Sequence, residues 1–397
     1  MARVLVAALF FAHLCGGRIV PALPQRSDDA VQWVESVNVT RWYSPLDLCL
    51  IRNDSSLPMD AIISHCEGVA SKGGDKGGTA VLQPTRCRAG NSWPSRGGFC
   101  SAVDTPYSQR ISLRSALKGY DDPSRSRLRE FFLSLQRQKG SLLLVGDSVM
   151  QQFYSAIACE LEREGVWADP SQFTNTDETK YVDVMGNTGS NSHKEGAVAI
   201  KFTPIYHFVN GRYDKVANAS MVALKKAIGE MTKSHDALVV VLNMGLHYLN
   251  NPVKDFSRKD YISQMSMCLR YLHTRAGELL VQQGKRMLVV WRETSAQHFP
   301  TPSGYWPGLR YAAGMKVGCV PIADVSPAGD WRNSDIAEII RRHALGDRVR
   351  VMPFFNVTAP LWDQHVNGHK QDCTHFCWTP FLYQSSFQYL LDVVMKE

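Results

Sequence analysis

Three uninterrupted apolar runs constrain this chain more than any other feature: Ser141 to Val145 (SLLLV), Ala237 to Leu242 (ALVVVL) and Met287 to Trp291 (MLVVW). A strand with one face in water alternates apolar and polar residues. A run without alternation has to be covered on both faces. Segments of helical spacing lie between the runs. Val149, Phe153, Ile157 and Leu161 recur at every fourth position and form one helix face. The same reasoning predicts helices over Met221 to Met231, Tyr261 to Gln283, Asp335 to Leu345 and Ser386 to Met395, with further strands at Val198 to Thr203 and Val349 to Met352. Strands alternating with helices give an α/β protein, a three-layer parallel sheet with helices on both faces. Ligands meet such sheets at the carboxyl ends of the strands, so motifs that follow the apolar runs share one edge.

The region before this pattern is different. Residues 23–137 carry Gly/Ser/Lys-rich stretches such as Ser71 to Thr79 (SKGGDKGGT) and Ala89 to Gly98 (AGNSWPSRGG), with poor periodicity. We read them as a loop-rich N-terminal appendage that packs on the core and ends in a helix near Ser124 to Gln138. Residues 1–22 read as a signal peptide: Arg3, an apolar stretch from Val4 to Cys15, then Gly16 and Gly17. That stretch is shorter than the ~20 residues that span a bilayer, although retention as an anchor is the alternative. The catalytic unit is then expected over 138–397, in the secretory pathway (Golgi or endoplasmic reticulum lumen) or outside the cell.

Ten cysteines fit an oxidising compartment. Cys49, Cys66, Cys87 and Cys100 fall in the loop-rich segment, where staples are needed. Cys159 and Cys268 lie in apolar helical patterns and read as buried free thiols. No Cys-x-x-Cys pair occurs, so no metal site is expected. The sequons at Asn38, Asn53, Asn218 and Asn356 fit lumenal N-glycosylation. The net charge of +7 is spread along the chain. It suits a soluble surface or an anionic glycan; with no basic-aromatic module, nucleic acid is not an expected partner.

Four segments carry chemistry. Gly146-Asp147-Ser148 ends the first apolar run and opens a helix, which places a serine hydroxyl beside free backbone N–H groups that favour developing negative charge. On its own it also fits an ordinary helix cap. Asp372-Cys373-Thr374-His375 precedes the last helix. A serine nucleophile needs a base, and that base needs a carboxylate to fix its tautomer; three-residue spacing lets one turn supply both. Asn243 to His247 (NMGLH) follows the second run. Asn243 is a candidate oxyanion donor and His247 a candidate loop residue or rival base. Arg292-Glu293-Thr294-Ser295 follows the third run, where Arg292 could hold a substrate group or a structural carboxylate. Gly186, in Gly186-Asn187-Thr188-Gly189, could offer a backbone N–H to the oxyanion.

Taken together, LLLVGDSVMQQF (142–153), NMGLHYL (243–249), WRETSAQHF (291–299), GCVPI (318–322) and DCTHFCWTP (372–380) resemble the blocks of the PC-esterase group, which includes the trichome-birefringence-like polysaccharide O-acetyltransferases. The likeness covers about residues 140 to 390. Met150-Gln151 stand where the plant members commonly have Arg-Asn. The resemblance implies an SGNH-hydrolase-like (flavodoxin-like) fold, with Ser148 as nucleophile, Asp372 as orienter and His375 as base. It also implies a disulfide between Cys319 and Cys373, leaving Cys377 to reach a cysteine of the N-terminal segment. The implied activity is O-acetyl transfer to glycan or polysaccharide hydroxyls, with no bound cofactor and an acetyl donor such as acetyl-CoA. Alternatives are a glycan O-acetylesterase with water as acceptor, a non-catalytic glycan-binding protein on the same scaffold, and a lipid esterase, for which no amphipathic lid is visible.

Overall fold

The structure is a computed structural model. It describes residues 32–35, 111–114, 127–163, 166, 178–185, 196–206, 208, 219–248, 257–306, 318–322, 330–359, 361–362, 365, 372–376 and 382–396. The expected signal segment, the cysteines at 49, 66, 87, 100 and 377, Gly186, and the sequons at Asn38, Asn53 and Asn218 lie outside these residues.

Fifteen elements are described. Two short strands, β1 (Gln32–Glu35) and β2 (Ile111–Arg114), pair antiparallel inside the segment expected to be loops. Then come α1 (Arg127–Arg137), β3 (Gly140–Gly146), α2 (Ser148–Arg163), β4 (Lys180–Val182), β5 (Val198–Pro204), α3 (Ala219–Ser234) and β6 (Ala237–Asn243). After these follow α4 (Arg258–Gln283), β7 (Arg286–Arg292), α5 (Trp331–Arg342), β8 (Val349–Met352), α6 (Phe355–Thr358) and α7 (Gln384–Lys396).

β4 to β8 and β3 form one sheet in the order β4-β5-β3-β6-β7-β8. All pairings are parallel except β4 with β5. The apolar runs do what their lack of alternation requires. Leu142, Leu144, Ile200, Val239, Val241 and Val290 enter one core, packed against α1, α2 and α7. Their neighbours Leu143, Val145, Leu238, Val240, Leu242 and Val289 enter a second core under α3, α4 and α5. Each buried Val or Leu contributes roughly 1.5–3 kcal/mol, so the two-sided strands anchor the domain. Val149, Phe153, Ile157 and Leu161 all fall on the buried face of α2.

The helix α1 packs on the sheet: Leu128, Phe131, Phe132 and Leu135 are wholly buried in the first core. β4 and α6 were not foreseen; three and four residues are too few to show a period.

Register aligns the strand ends. Gly146 lies opposite Asn243, and Arg292 opposite Met352. From β3 the chain passes to β5 on one side and then to β6 on the other, so the strand order reverses at β3. A crevice opens at the carboxyl end of such a strand. Among the described residues no helix is long and apolar enough to cross a membrane.

Candidate active site

Gly146 makes the turn from β3 into α2. A Cβ there would fall inside the radius of the Asn243 carbonyl oxygen and sit 2.8 Å from the Met150 Cβ. Only glycine lets the two strand ends come this close. Asp147 is buried and caps the new helix, its Oδ1 accepting from the Val149 N–H at 3.1 Å. Ser148 then stands at the first position of α2, 8 % exposed.

The turn of residues 372–376 meets it across the crevice. The Ser148 Oγ lies 2.7 Å from the His375 Nε2, and the His375 Nδ1 lies 2.8 Å from the Asp372 Oδ2. The Asp372 Oδ1 accepts from the backbone N–H groups of Thr374 and His375, both at 3.0 Å. Burial pushes the Asp372 carboxyl up, but the His375 bond and those two N–H groups outweigh it and hold it below its ordinary 3.8. An ionised Asp372 accepts the Nδ1 proton, which leaves the Nε2 lone pair facing the serine hydroxyl.

The turn is held from several sides. Gln152, one helical turn beyond Ser148 on α2, makes a two-way amide bond to Phe376: its Nε2 donates to the Phe376 carbonyl at 2.8 Å, and its Oε1 accepts from the Phe376 N–H at 3.3 Å. Gln297 donates to the Thr374 hydroxyl at 2.8 Å. The His298 N–H donates to the Cys373 carbonyl at 3.0 Å. Cys373 is disulfide-bonded to Cys319, the pairing that the resemblance implied. Neither Gln152 nor Gln297 was expected from the sequence; the signal for Gln152 was its i+4 position relative to Ser148.

The supporting candidates are placed differently from expectation. The Asn243 Nδ2 donates to the Arg292 carbonyl at 2.9 Å and reaches the Thr294 Oγ1 at 3.4 Å, so the amide ties β6 to the end of β7 and the residues after it. Arg292 is wholly buried and has no ion pair to a carboxylate among the described residues. Its guanidinium lies 3.9 Å from the Phe354 ring and 5.1 Å from the Phe153 ring, and it reaches the Val149 carbonyl at 3.4 Å, bracing the first turn of α2. Burial lowers its pKa to about 10, against the favourable fields of Tyr383 and Asp147. His247 is exposed, edge-on to Tyr206 at 4.9 Å, while the serine's partner is His375. Asn356 is half-buried in α6. Cys268 is a buried free thiol whose pKa burial raises; the Cys159 side chain lies outside the described ones.

Among the described residues no group of three or more His, Cys, Asp or Glu could hold a metal ion. No family model matches the sequence, and no curated protein matches it. The residues themselves offer a hydroxyl, an imidazole and a carboxylate in one hydrogen-bonded chain at a helix start.

Proposed function

We propose that this chain is a serine-dependent O-acyltransferase that moves acetyl groups to glycan hydroxyls, on an SGNH-like arrangement of its α/β fold. The observation that carries the reading is the unbroken chain Ser148–His375–Asp372, at 2.7 and 2.8 Å. The five resembling blocks and the order Ser, Asp, His support the glycan class.

In the first half-reaction His375 takes the Ser148 proton as the Oγ forms a bond to the donor's acetyl carbon. The carbonyl electrons move to oxygen, beside the start of α2, whose dipole favours negative charge. The donor's bond to the acetyl carbon then breaks, and His375 passes the proton to the leaving group. In the second half-reaction a sugar hydroxyl gives its proton to His375 and attacks the acetyl-serine. Ser148 leaves and recovers the proton. Asp372 stays ionised and stabilises the imidazolium in both steps.

One observation favours a second reading, hydrolysis. About a third of the Asp372 side chain is exposed, so water reaches the edge of the triad. Acyl transfer then requires the bound acceptor to exclude that water. The test is incubation of the purified chain with labelled acetyl donors, acetyl-CoA included, and a panel of glycans, following both transfer and acetate release. We expect an acetyl-serine on Ser148 and a loss of roughly 10⁶-fold in kcat for Ser148→Ala. Undiminished turnover in that variant would sink the triad. Acetate release with no acetylated glycan would select the esterase.

A further inference from the structure

Behind the catalytic turn two histidines face one another in the protein interior. His298 follows β7 and His365 precedes the turn; both are essentially unexposed. The His298 Nδ1 and the His365 Nε2 are 2.7 Å apart. The outer nitrogens each face a backbone carbonyl: the His298 Nε2 lies 2.8 Å from the Ala359 oxygen, and the His365 Nδ1 lies 3.0 Å from the His375 oxygen.

A proton count follows. A carbonyl only accepts, so each outer nitrogen needs an N–H. The inner pair needs one proton between its two nitrogens, since two lone pairs at 2.7 Å repel. That makes three protons, and two neutral imidazoles bring two. With two, one of the three contacts sets a lone pair against an oxygen or a nitrogen between rings that are closed to bulk solvent. We propose that His298 and His365 share one proton between them, and that this singly charged pair anchors the turn carrying His375.

Two effects compete. Burial is the largest cause: even against the opposing groups it holds His298 down at about 4 and His365 well below the ordinary histidine range, the latter pushed further by the charge of His298. The Ala359 and His375 carbonyls and the Asp372 carboxylate act the other way. His375, on the same turn, opposes a charge on His365 when it is itself protonated. Against burial stands the geometry: the 2.7 Å bond spreads one charge over two rings, and no partner is left to hold a second. The pair titrates as a unit.

The consequence is positional. The His365 ring lies 4.3 Å from that of Phe376, and the backbone of His365 bridges that of Phe376. Its N–H bond to the His375 carbonyl fixes the backbone that aims the base. The catalytic part rests on His375 acting as proposed above; the shared proton does not.

The experiment is nuclear magnetic resonance of the full chain with ¹⁵N-labelled histidine at pH 7. We expect three ring protons within the pair, one of them far downfield and coupled to two nitrogens. It should vanish in His298→Asn and in His365→Asn. A pair with two ring protons and a bare nitrogen against a carbonyl, or a bridging signal that survives both substitutions, would overturn the proposal. For the positioning role, His365→Leu should lower kcat by about 10²-fold at unchanged KM, with partial recovery in His365→Gln, whose amide can still donate to the His375 carbonyl. Equal activity of the Leu and Gln variants would remove that role. If Ser148→Ala kept full turnover while the bridging proton was present, the reading of the site would fall and the pair would stand.

Discussion

The two halves of the site are built by different means. Ser148 is placed by regular structure: a strand buried on both faces, a glycine turn against the next strand, and a helix whose apolar face fills the core. Its position follows from backbone geometry and side-chain packing summed over many residues. His375 sits on an irregular turn with no helix or strand of its own beyond one isolated bridge. Its position comes from a few discrete links: Gln152, Gln297, the Cys319–Cys373 bond and the histidine pair. A serine held by packing resists small changes but fails sharply when its turn is blocked. A histidine held by separate links should loosen by increments as each is cut.

The largest expected effect tests the first half. Gly146→Ala forces a Cβ into the Asn243 carbonyl, and neither strand end can retreat without breaking the β3–β6 register. We expect a loss of about 3 kcal/mol in urea unfolding together with loss of activity. A well-folded, active Ala variant would show that the strand ends can spread, and that packing does not fix the serine.

Cutting the disulfide tests the second half. Cys319 and Cys373 are 54 residues apart, and the bond pins the turn to the segment that follows β7. Replacing both by serine should cost about 2–4 kcal/mol. Activity should fall at moderate denaturant before global unfolding is seen, because the turn loosens first. Coincident loss of activity and of far-ultraviolet signal would mean that the turn is as tightly coupled to the core as Ser148 is.

Gln152 joins the halves, since it grows from α2 behind Ser148 and clamps the turn that carries His375. Gln152→Ala leaves the Phe376 N–H and carbonyl without these bonds in a buried site, a cost of about 1–3 kcal/mol. The kinetic signature should be a fall in kcat of roughly 10–10²-fold with KM little changed. A rise in KM alone would place Gln152 in substrate binding instead.

The same contrast governs what the sequence revealed. The sheet was legible because unbroken apolar runs have one physical solution, and their strands and helices were found within a few residues. Ser148, Asp372 and His375 stood out because a strand-turn-helix serine and a three-residue Asp/His spacing are local patterns. The links were not legible. Gln152 and Phe376 are 224 positions apart, and His298 and His365 are 67. No local period records such a partnership. The surroundings of Arg292 were hidden for a related reason. Its place at a strand end offered a substrate group or a structural carboxylate as its partner, and the rings of Phe153 and Phe354 that flank it come from distant segments. Asn243 was read as a donor to the site because β7, which takes its N–H groups, is not its neighbour in sequence.

The smallest effect is in pH, and it sharpens the comparison at one atom. In the folded chain the Asp372 carboxyl is held below its ordinary 3.8 by His375 and two backbone N–H groups, so the unfolded state binds more protons as the medium becomes acid. The stability Asp372 adds is therefore fully present above about pH 4, the ordinary carboxyl value. It is lost as pH falls through the depressed folded value. The carboxylate is partly exposed, so solvent screens the effect and it should be modest. Asp372→Asn removes it. Wild type should exceed that variant in stability by a constant margin at neutral pH, and the margin should shrink as pH drops below 4. A margin that stayed level into acid would mean that the turn is held by the shape of the loop and its links, with the Asp372 charge contributing nothing to its position.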